Sequence, residues 1–278
     1  MVWSLQAQPE LTDQQFERWS QLLEERTGVQ LVPQQRAFLQ AQLTMRMREL
    51  GCEDQRDYYQ QLQQGLHGVV EWSVLVDRLL VKETSFFRHR PSVELVRRLL
   101  QQRIDSRQLS DSFDIWSVGC ATGEEPYSLA MAANDCFELA ALDPYFGVTA
   151  TDISRPSLQL AREGRYHARR LGQVTPQERS RYFSVDSDGE FCVHAKLKDR
   201  LCFNQGNVMN VAAMPIVAMD IIFCQNLLVY FRRWRRRDIL NAFADRLKPG
   251  GVMVIGLGEI IDWEHPNVQR LDDDRVQA

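Results

Sequence analysis

From Phe113 onward, apolar runs of strand length alternate with segments of helical periodicity, and few folds accommodate that alternation. FDIWSVGC (113–120) precedes a helical stretch that opens near Glu124, and FGVTATDI (146–153) reads as a second strand. DIIFCQNLLVYF (220–231), the helix RRDILNAFADRL (236–247), the turn KPGG and the strand VMVIGLGE (252–259) follow. Parallel strands need crossovers, so the pattern predicts βαβ units and an α/β, doubly wound, mostly parallel sheet. Within residues 171–203, Asp188-Gly189 separates two short alternating runs and predicts a small antiparallel insertion.

The first 80 or so residues carry no strand signal. Thr12 and Gln15 form a capping box before a helix that Gly28 ends, with Phe16, Trp19, Leu22 and Leu23 as its buried stripe. A second helix runs from Pro33 to Gly51, and DQRDYYQQLQQ and EWSVLVDRLLV read as two more. The expected organisation is a helical domain over 1–82 and an α/β domain over 83–278.

A net charge of -4 and a pI near 5.8 argue against nucleic-acid binding. Six scattered cysteines without a CxxC spacing predict no metal site and no disulfide framework. No window approaches a membrane span, and MVWSLQAQPELTDQQ lacks the pattern of a secretion signal, so a soluble, cytoplasmic chain is expected.

The turn after the first strand decides what the sheet binds. A dinucleotide seat needs GxGxxG and a helix N-terminus open to an anion. Here Gly119, Ala121 and Gly123 give GxAxG, and Glu124 and Glu125 follow at once, which would repel a diphosphate. A ligand with an adenosine at one end and positive charge at the other suits the acids better, with Asp152 at the end of the second strand to take ribose hydroxyls. S-adenosylmethionine has that make-up. Favourable first-turn placement for one of the two glutamates, and an N-cap role for Asp152, are the plainer readings of the same residues.

KETSFFR (82–88), GCATGEEPYSLA (119–130), ATDIS (150–154), FCQNLLVYF (223–231) and LKPGGVMVIG (247–256) together resemble the CheR family of chemotaxis-receptor methyltransferases, over nearly the whole chain. The resemblance implies a Rossmann-like S-adenosylmethionine-dependent methyltransferase fold that moves a methyl group to glutamate side chains on the cytoplasmic coiled coil of a chemoreceptor, leaving S-adenosylhomocysteine. It implies cofactor contacts at Lys82, Thr84, Arg88, Gly119, Ala121, Glu124 or Glu125 (the latter preferred), Asp152, Asn207, Val208, Asn226 and Leu227, and a monomer without nucleic-acid or membrane partners. Arg88 and Tyr230 are the candidates beside the reacting methyl, against a structural ion pair and an ordinary buried aromatic. Arg36, Arg46 and Arg48 are expected to meet the acidic receptor helix, a snorkelling arginine being the alternative for Arg46. The run RRWRRR (232–237), with Asp238 and Asp245 after it, reads as a solvated helix face rather than a nucleic-acid or membrane site, a receptor-facing role being the alternative.

Cys224-Gln225-Asn226 stands where the family usually has CRN, Lys82 where it has Asn, and GLGE (256–259) where it has GHSE. These departures suggest a divergent branch serving a pilus or surface-motility array, and the short insertion suggests no tethering to a receptor tail. A small-molecule methyltransferase and a non-catalytic cofactor-binding protein are the competing readings.

Overall fold

The computed structural model describes residues 10–109, 112–143, 145–215, 218–260 and 262–278, in two compact units, Met1–Val81 and Lys82–Ala278. The first unit holds α1 (Asp13–Thr27), α2 (Arg36–Leu50) behind a 3-10 turn at Pro33–Gln35, α3 (Gln55–Gln61) and α4 (Gly65–Leu79). Thr12 Oγ1 accepts from the Gln15 amide at 3.2 Å, and Gln15 Oε1 accepts from the Thr12 amide at 2.9 Å. The expected stripe of α1 is buried together with Leu39, Leu43 and Met47 of α2. Leu50, the last residue of α2, is exposed.

The second unit runs α5 (Arg90–Asp105), β1 (Phe113–Val118), α6 (Glu124–Leu139), β2 (Phe146–Asp152), α7 (Arg155–Glu163), β3 (Arg165–Tyr166), α8 (Pro176–Tyr182), β4 (Phe183–Val185), β5 (Phe191–Val193), α9 (Ala195–Lys198), β6 (Leu201–Gln205), β7 (Met219–Cys224), α10 (Arg233–Ala244) and β8 (Leu247–Ile255). Five parallel strands form one sheet in the order β6-β2-β1-β7-β8, with Ile115 in register with Val148 and Ile221. The order reverses between β1 and β7, and the crevice at their carboxyl ends is where such sheets bind ligands. Alternation divides the core. Ile115, Ile221, Phe223 and Val254 pack with Val96 and Ala130 of α5 and α6, while Trp116, Val118, Ile222 and Cys224 pack with Leu240 and Phe243 of α10. Both faces are covered, which is why residues 221–224 of β7 read as one unbroken apolar run.

Three expectations are corrected. The insertion is a three-stranded sheet, β3-β5-β4, that begins at Arg165, and Leu201–Gln205, assigned in part to it, is the edge strand β6 of the main sheet. Two-residue β3 is too short to carry a periodicity. Asn226 does not lie within a strand: β7 ends at Cys224, and the next residues turn with Asn226 left-handed at φ 57. KPGG is not a separate turn but the start of β8, whose register slips between Met219 and Ile221.

The amino end of the sheet is closed by charge. Lys248 Nζ donates to Asp114 Oδ2 and Asp220 Oδ2, each at 2.7 Å, and the Asp114 amide donates to Asp220 Oδ2 at 2.8 Å. Arg103 also pairs with Asp220, which is buried, and donates to the Gly250 carbonyl at 2.8 Å. Lys248 of the KPGG segment is therefore a sheet clamp, at the end opposite the crevice. Removing the acid leaves Arg103 without its carboxylate and Lys248 with Asp114 alone, so Asp220→Ala is expected to lose about 3 kcal/mol in urea denaturation. A loss under about 1 kcal/mol would mean that the clamp is ornamental.

Candidate functional site

The loop from β1 to α6 bends through Gly119, Ala121 and Gly123, all with positive φ, at 74, 46 and 96. Four of its amides are spent inside the protein. Gly119 and Cys120 donate to the Thr151 carbonyl at 2.8 and 3.0 Å, Ala121 to Asp152 Oδ2 at 2.8 Å, and Gly123 to the Cys120 carbonyl at 3.0 Å. A phosphate-binding loop would aim such amides at its ligand, so the case against a diphosphate rests on geometry as well as on charge. A Cβ on Gly123 would stand 2.8 Å from Ala161 Cβ and 2.9 Å from Tyr166 Oη, and glycine is required there on both counts.

The two glutamates separate. Glu124 is wholly buried, accepts from Thr122 Oγ1 at 2.6 Å and lies 3.6 Å from Arg170 Nη1. Arg170 in turn donates to the Thr84 carbonyl at 2.6 Å, so this acid holds the 82–88 segment against the loop. Glu124 has no accessible surface, and its partners lie inside the fold, so the structure does not bring it to the crevice. Glu125 keeps accessible surface and accepts from Ser117 Oγ at 2.7 Å. Burial pushes its carboxyl up to about 8, with the Ser117 bond and the Arg88 charge opposing and Glu259 reinforcing.

Asp152 closes β2 with both oxygens oriented, Oδ2 by the Ala121 amide and Oδ1 by the Ser154 amide at 2.8 Å. It does not cap α7; Ser154 does, accepting from the Ser157 amide at 3.1 Å. The Gly206 amide donates to the Asp152 carbonyl at 3.0 Å, which brings Asn207 to the same end, while Val208 is buried beside Trp116 and Val118.

Across the crevice, the turn after β7 is organised by a residue that sequence reasoning missed. Glu259 is buried, and its carboxylate accepts from the Leu228 amide at 2.7 Å and from the Asn226 amide. Burial raises its carboxyl, and those amides oppose the shift. A Cβ on Gly256 would overlap the Glu259 carboxylate, so the GxGE spacing just past β8 was the available signal. Leu227 reaches back to the first loop: a Cβ on Gly119 would lie 3.0 Å from its side chain. Gln225, in place of the family's arginine, donates to Ser92 Oγ at 3.0 Å and to the Ile255 carbonyl at 3.1 Å, so a neutral amide ties β7 to β8 and α5.

The 82–88 segment forms the third wall. Phe87 is left-handed at φ 53, and its amide donates to Ser128 Oγ at 2.9 Å. Exposed Arg88 donates to the Glu83 carbonyl at 2.6 Å, and its charge is felt by Glu125 and by Tyr230. Tyr230, in a 3-10 turn at Leu228–Tyr230, has its hydroxyl pushed up chiefly by burial. Lys82 is partly accessible. Phe87, Ala121 and Asn226 are half of the six non-glycine residues with positive φ among the described residues, and one sits on each wall. Such strain persists where surrounding structure over-determines a site.

Of the three arginines expected to meet an acidic partner, Arg46 is committed internally. Its guanidinium bridges Glu71, with Nε at 2.9 Å from Oε1, and pairs with Glu49, while the Tyr58 hydroxyl donates to Glu71 at 2.6 Å. Partly buried Glu71 thus claims the Arg46 guanidinium within the fold. Arg36 pairs with Asp13 over the Phe16 ring, and Arg48 is exposed without an ion pair among the described residues.

Carboxylates at Glu125 and Asp152, a loop with its amides already engaged, and a glycine cradle against Leu227 suit a phosphate-free nucleoside bearing positive charge. Fold and crevice together define a Rossmann-like methyltransferase domain. Residues 82–276 match the family described as CheR methyltransferase, SAM binding domain, and residues 14–80 match CheR methyltransferase, all-alpha domain. The chain is similar to the chemotaxis protein methyltransferase of Escherichia coli (strain K12), 32% identical over 252 residues that cover 90% of this chain and 85% of that one. It is also similar to the Klebsiella aerogenes protein of the same description, at 33% over 90% and 84% of the two chains. A third relative, chemotaxis protein methyltransferase 1 of Pseudomonas aeruginosa, is 29% identical over 89% and 90%. The chain belongs to the CheR methyltransferase family. It is an S-adenosylmethionine-dependent methyltransferase, and its helical first unit is the family's all-alpha domain. Among the described residues no helix is long and apolar enough to cross a membrane.

Proposed function

We propose that this enzyme methylates glutamate side chains on the cytoplasmic coiled coil of methyl-accepting chemoreceptors, giving glutamyl methyl esters. The observation that carries the reading is the likeness to chemotaxis methyltransferases over nine-tenths of the chain, with Arg88, Glu125 and Tyr230 gathered at the crevice. Bound there, S-adenosylmethionine supplies a methyl group activated by its sulfonium. Asp152 takes the ribose hydroxyls, Glu125 the ammonium, and Thr84, Asn207, Asn226 and Leu227 line the nucleoside. The acceptor needs no base, because a glutamate with a pKa of about 4.3 is already ionised at neutral pH. What remains for the protein is alignment and exclusion of water, and the planar fork of Arg88 is suited to orienting a carboxylate. Tyr230 closes the same side. Without extra length in the insertion, no receptor tail is tethered.

Purified enzyme with methyl-labelled cofactor should place base-labile, methanol-releasing label on a receptor cytoplasmic fragment. Arg88→Ala should lower kcat/KM by about 100-fold, as expected when a charge-assisted, bidentate contact is lost. Label that appears only on free carboxylic acids would reassign the substrate to small molecules, and intact cofactor binding without any turnover would make the protein a binding partner instead.

A further inference from the structure

The acceptor of a carboxyl methylation is itself acidic, so the protein that presents it brings negative charge to the crevice. The first two turns of α10 carry Arg233, Arg235, Arg236 and Arg237, with no acid in the first turn. Positive charge at the amino end of a helix opposes its dipole, and in a chain of net charge -4 composition does not compel it. Arg236 alone is fully employed within the fold, donating to the Phe231, Val229 and Glu259 carbonyls at 2.9, 3.1 and 3.3 Å. Arg237 spends one bond on the Asp262 carbonyl at 3.2 Å, and Arg235 approaches Asp238 only to 3.9 Å. Arg233 is exposed and has no hydrogen bond or ion pair among the described residues.

The three carbonyls on Arg236 also show which segments meet here: the turn after β7, the turn after β8 and the start of α10. Each offers apolar surface, with Val229 48%, Leu257 57% and Trp234 54% exposed. Arg233 and Arg237 further line a cleft with Trp263. Arginine interleaved with aromatic and aliphatic surface is the composition of protein interfaces, whereas a nucleic-acid face would be more uniformly basic. The patch begins within three residues of Tyr230. By contrast, Arg46 and Arg36 of the first unit are already paired with Glu71, Glu49 and Asp13.

Resting on the reading of the acceptor given above, we propose that the start of α10, with Val229 and Leu257, docks an acidic amphipathic helix of the acceptor protein, next to the carboxylate to be methylated. The test is the double variant Arg233→Glu with Arg235→Glu, with Arg233→Ala as a milder second variant, both checked for unchanged thermal melting and S-adenosylhomocysteine affinity. Anisotropy with a labelled receptor cytoplasmic fragment should show binding about tenfold weaker at low salt, a difference that fades as salt screens the charges, with KM rising in parallel and kcat unchanged. Binding within twofold of the parent enzyme in both variants would overturn the surface and leave the methylation reading intact. Weakened binding with no methylation by the parent would sink the methylation reading and uphold the surface. Equal affinity of the parent for a DNA duplex, lost in the same variants, would overturn the proposal in favour of a general polyanion site.

Discussion

Asp152→Ala is expected to weaken binding of S-adenosylhomocysteine by about 100-fold or more, read by calorimetry. Its carboxylate is oriented before any ligand arrives, by the Ala121 and Ser154 amides at 2.8 Å each. Charge-assisted bonds to two ribose hydroxyls would contribute about 1.5–3 kcal/mol apiece, and the loop after β1 loses its anchor as well. Asp152→Asn separates the two effects. It keeps one oxygen for an amide and removes the charge, so its affinity should lie between those of the parent and the alanine variant. Unchanged affinity in both variants would remove Asp152 from the site.

Glu125 is expected to make cofactor binding depend on pH, in a direction that its surroundings fix. In the free protein burial pushes its carboxyl up to about 8, so at neutral pH it is mostly protonated. A ligand that brings an ammonium and a sulfonium favours the ionised form and lowers that value. Binding below about pH 8 therefore releases a proton, and affinity should rise with pH up to that region, then level off. Calorimetry in buffers of different ionisation enthalpy should find close to one proton released at pH 7, and none in Glu125→Gln, whose affinity should be lower and flat with pH. Folding linkage has the opposite slope. A carboxyl raised in the folded state binds its proton more tightly there than in the unfolded chain, so this group's contribution to stability declines between about pH 4.5 and 8. A parent enzyme whose affinity does not change between pH 6 and 8 would show that Glu125 does not meet the cation.

The strands of the sheet and the helical first unit were legible because their signals are local: apolar runs of strand length, a capping box at Thr12 and Gln15, and glycines beyond helix ends. The crevice was legible by position, since strand ends are fixed once the strands are. Long-range pairing was not. Nothing near Glu124 in the sequence reveals that Arg170 approaches it, and Arg46 gives no sign of Glu71. Both are charges whose partners lie 25 or more positions away, and spacing carries information over only a few turns. Glu259 was passed over because it resembles an ordinary surface acid until the turn after β7 wraps round it. The insertion's start was lost because a two-residue strand has no period to detect.

Arg236 and Glu259 act on one stretch of backbone from opposite sides. The guanidinium holds the Val229 and Phe231 carbonyls, and the carboxylate holds the Asn226 and Leu228 amides, while the Glu259 carbonyl is itself bonded to Arg236. Donors and acceptors of the whole turn are thereby clamped to the start of α10. A stretch fastened in this way is unsuited to swinging aside, so this wall is no gate. Through these bonds α10, the turn and the end of β8 form one stiff plate.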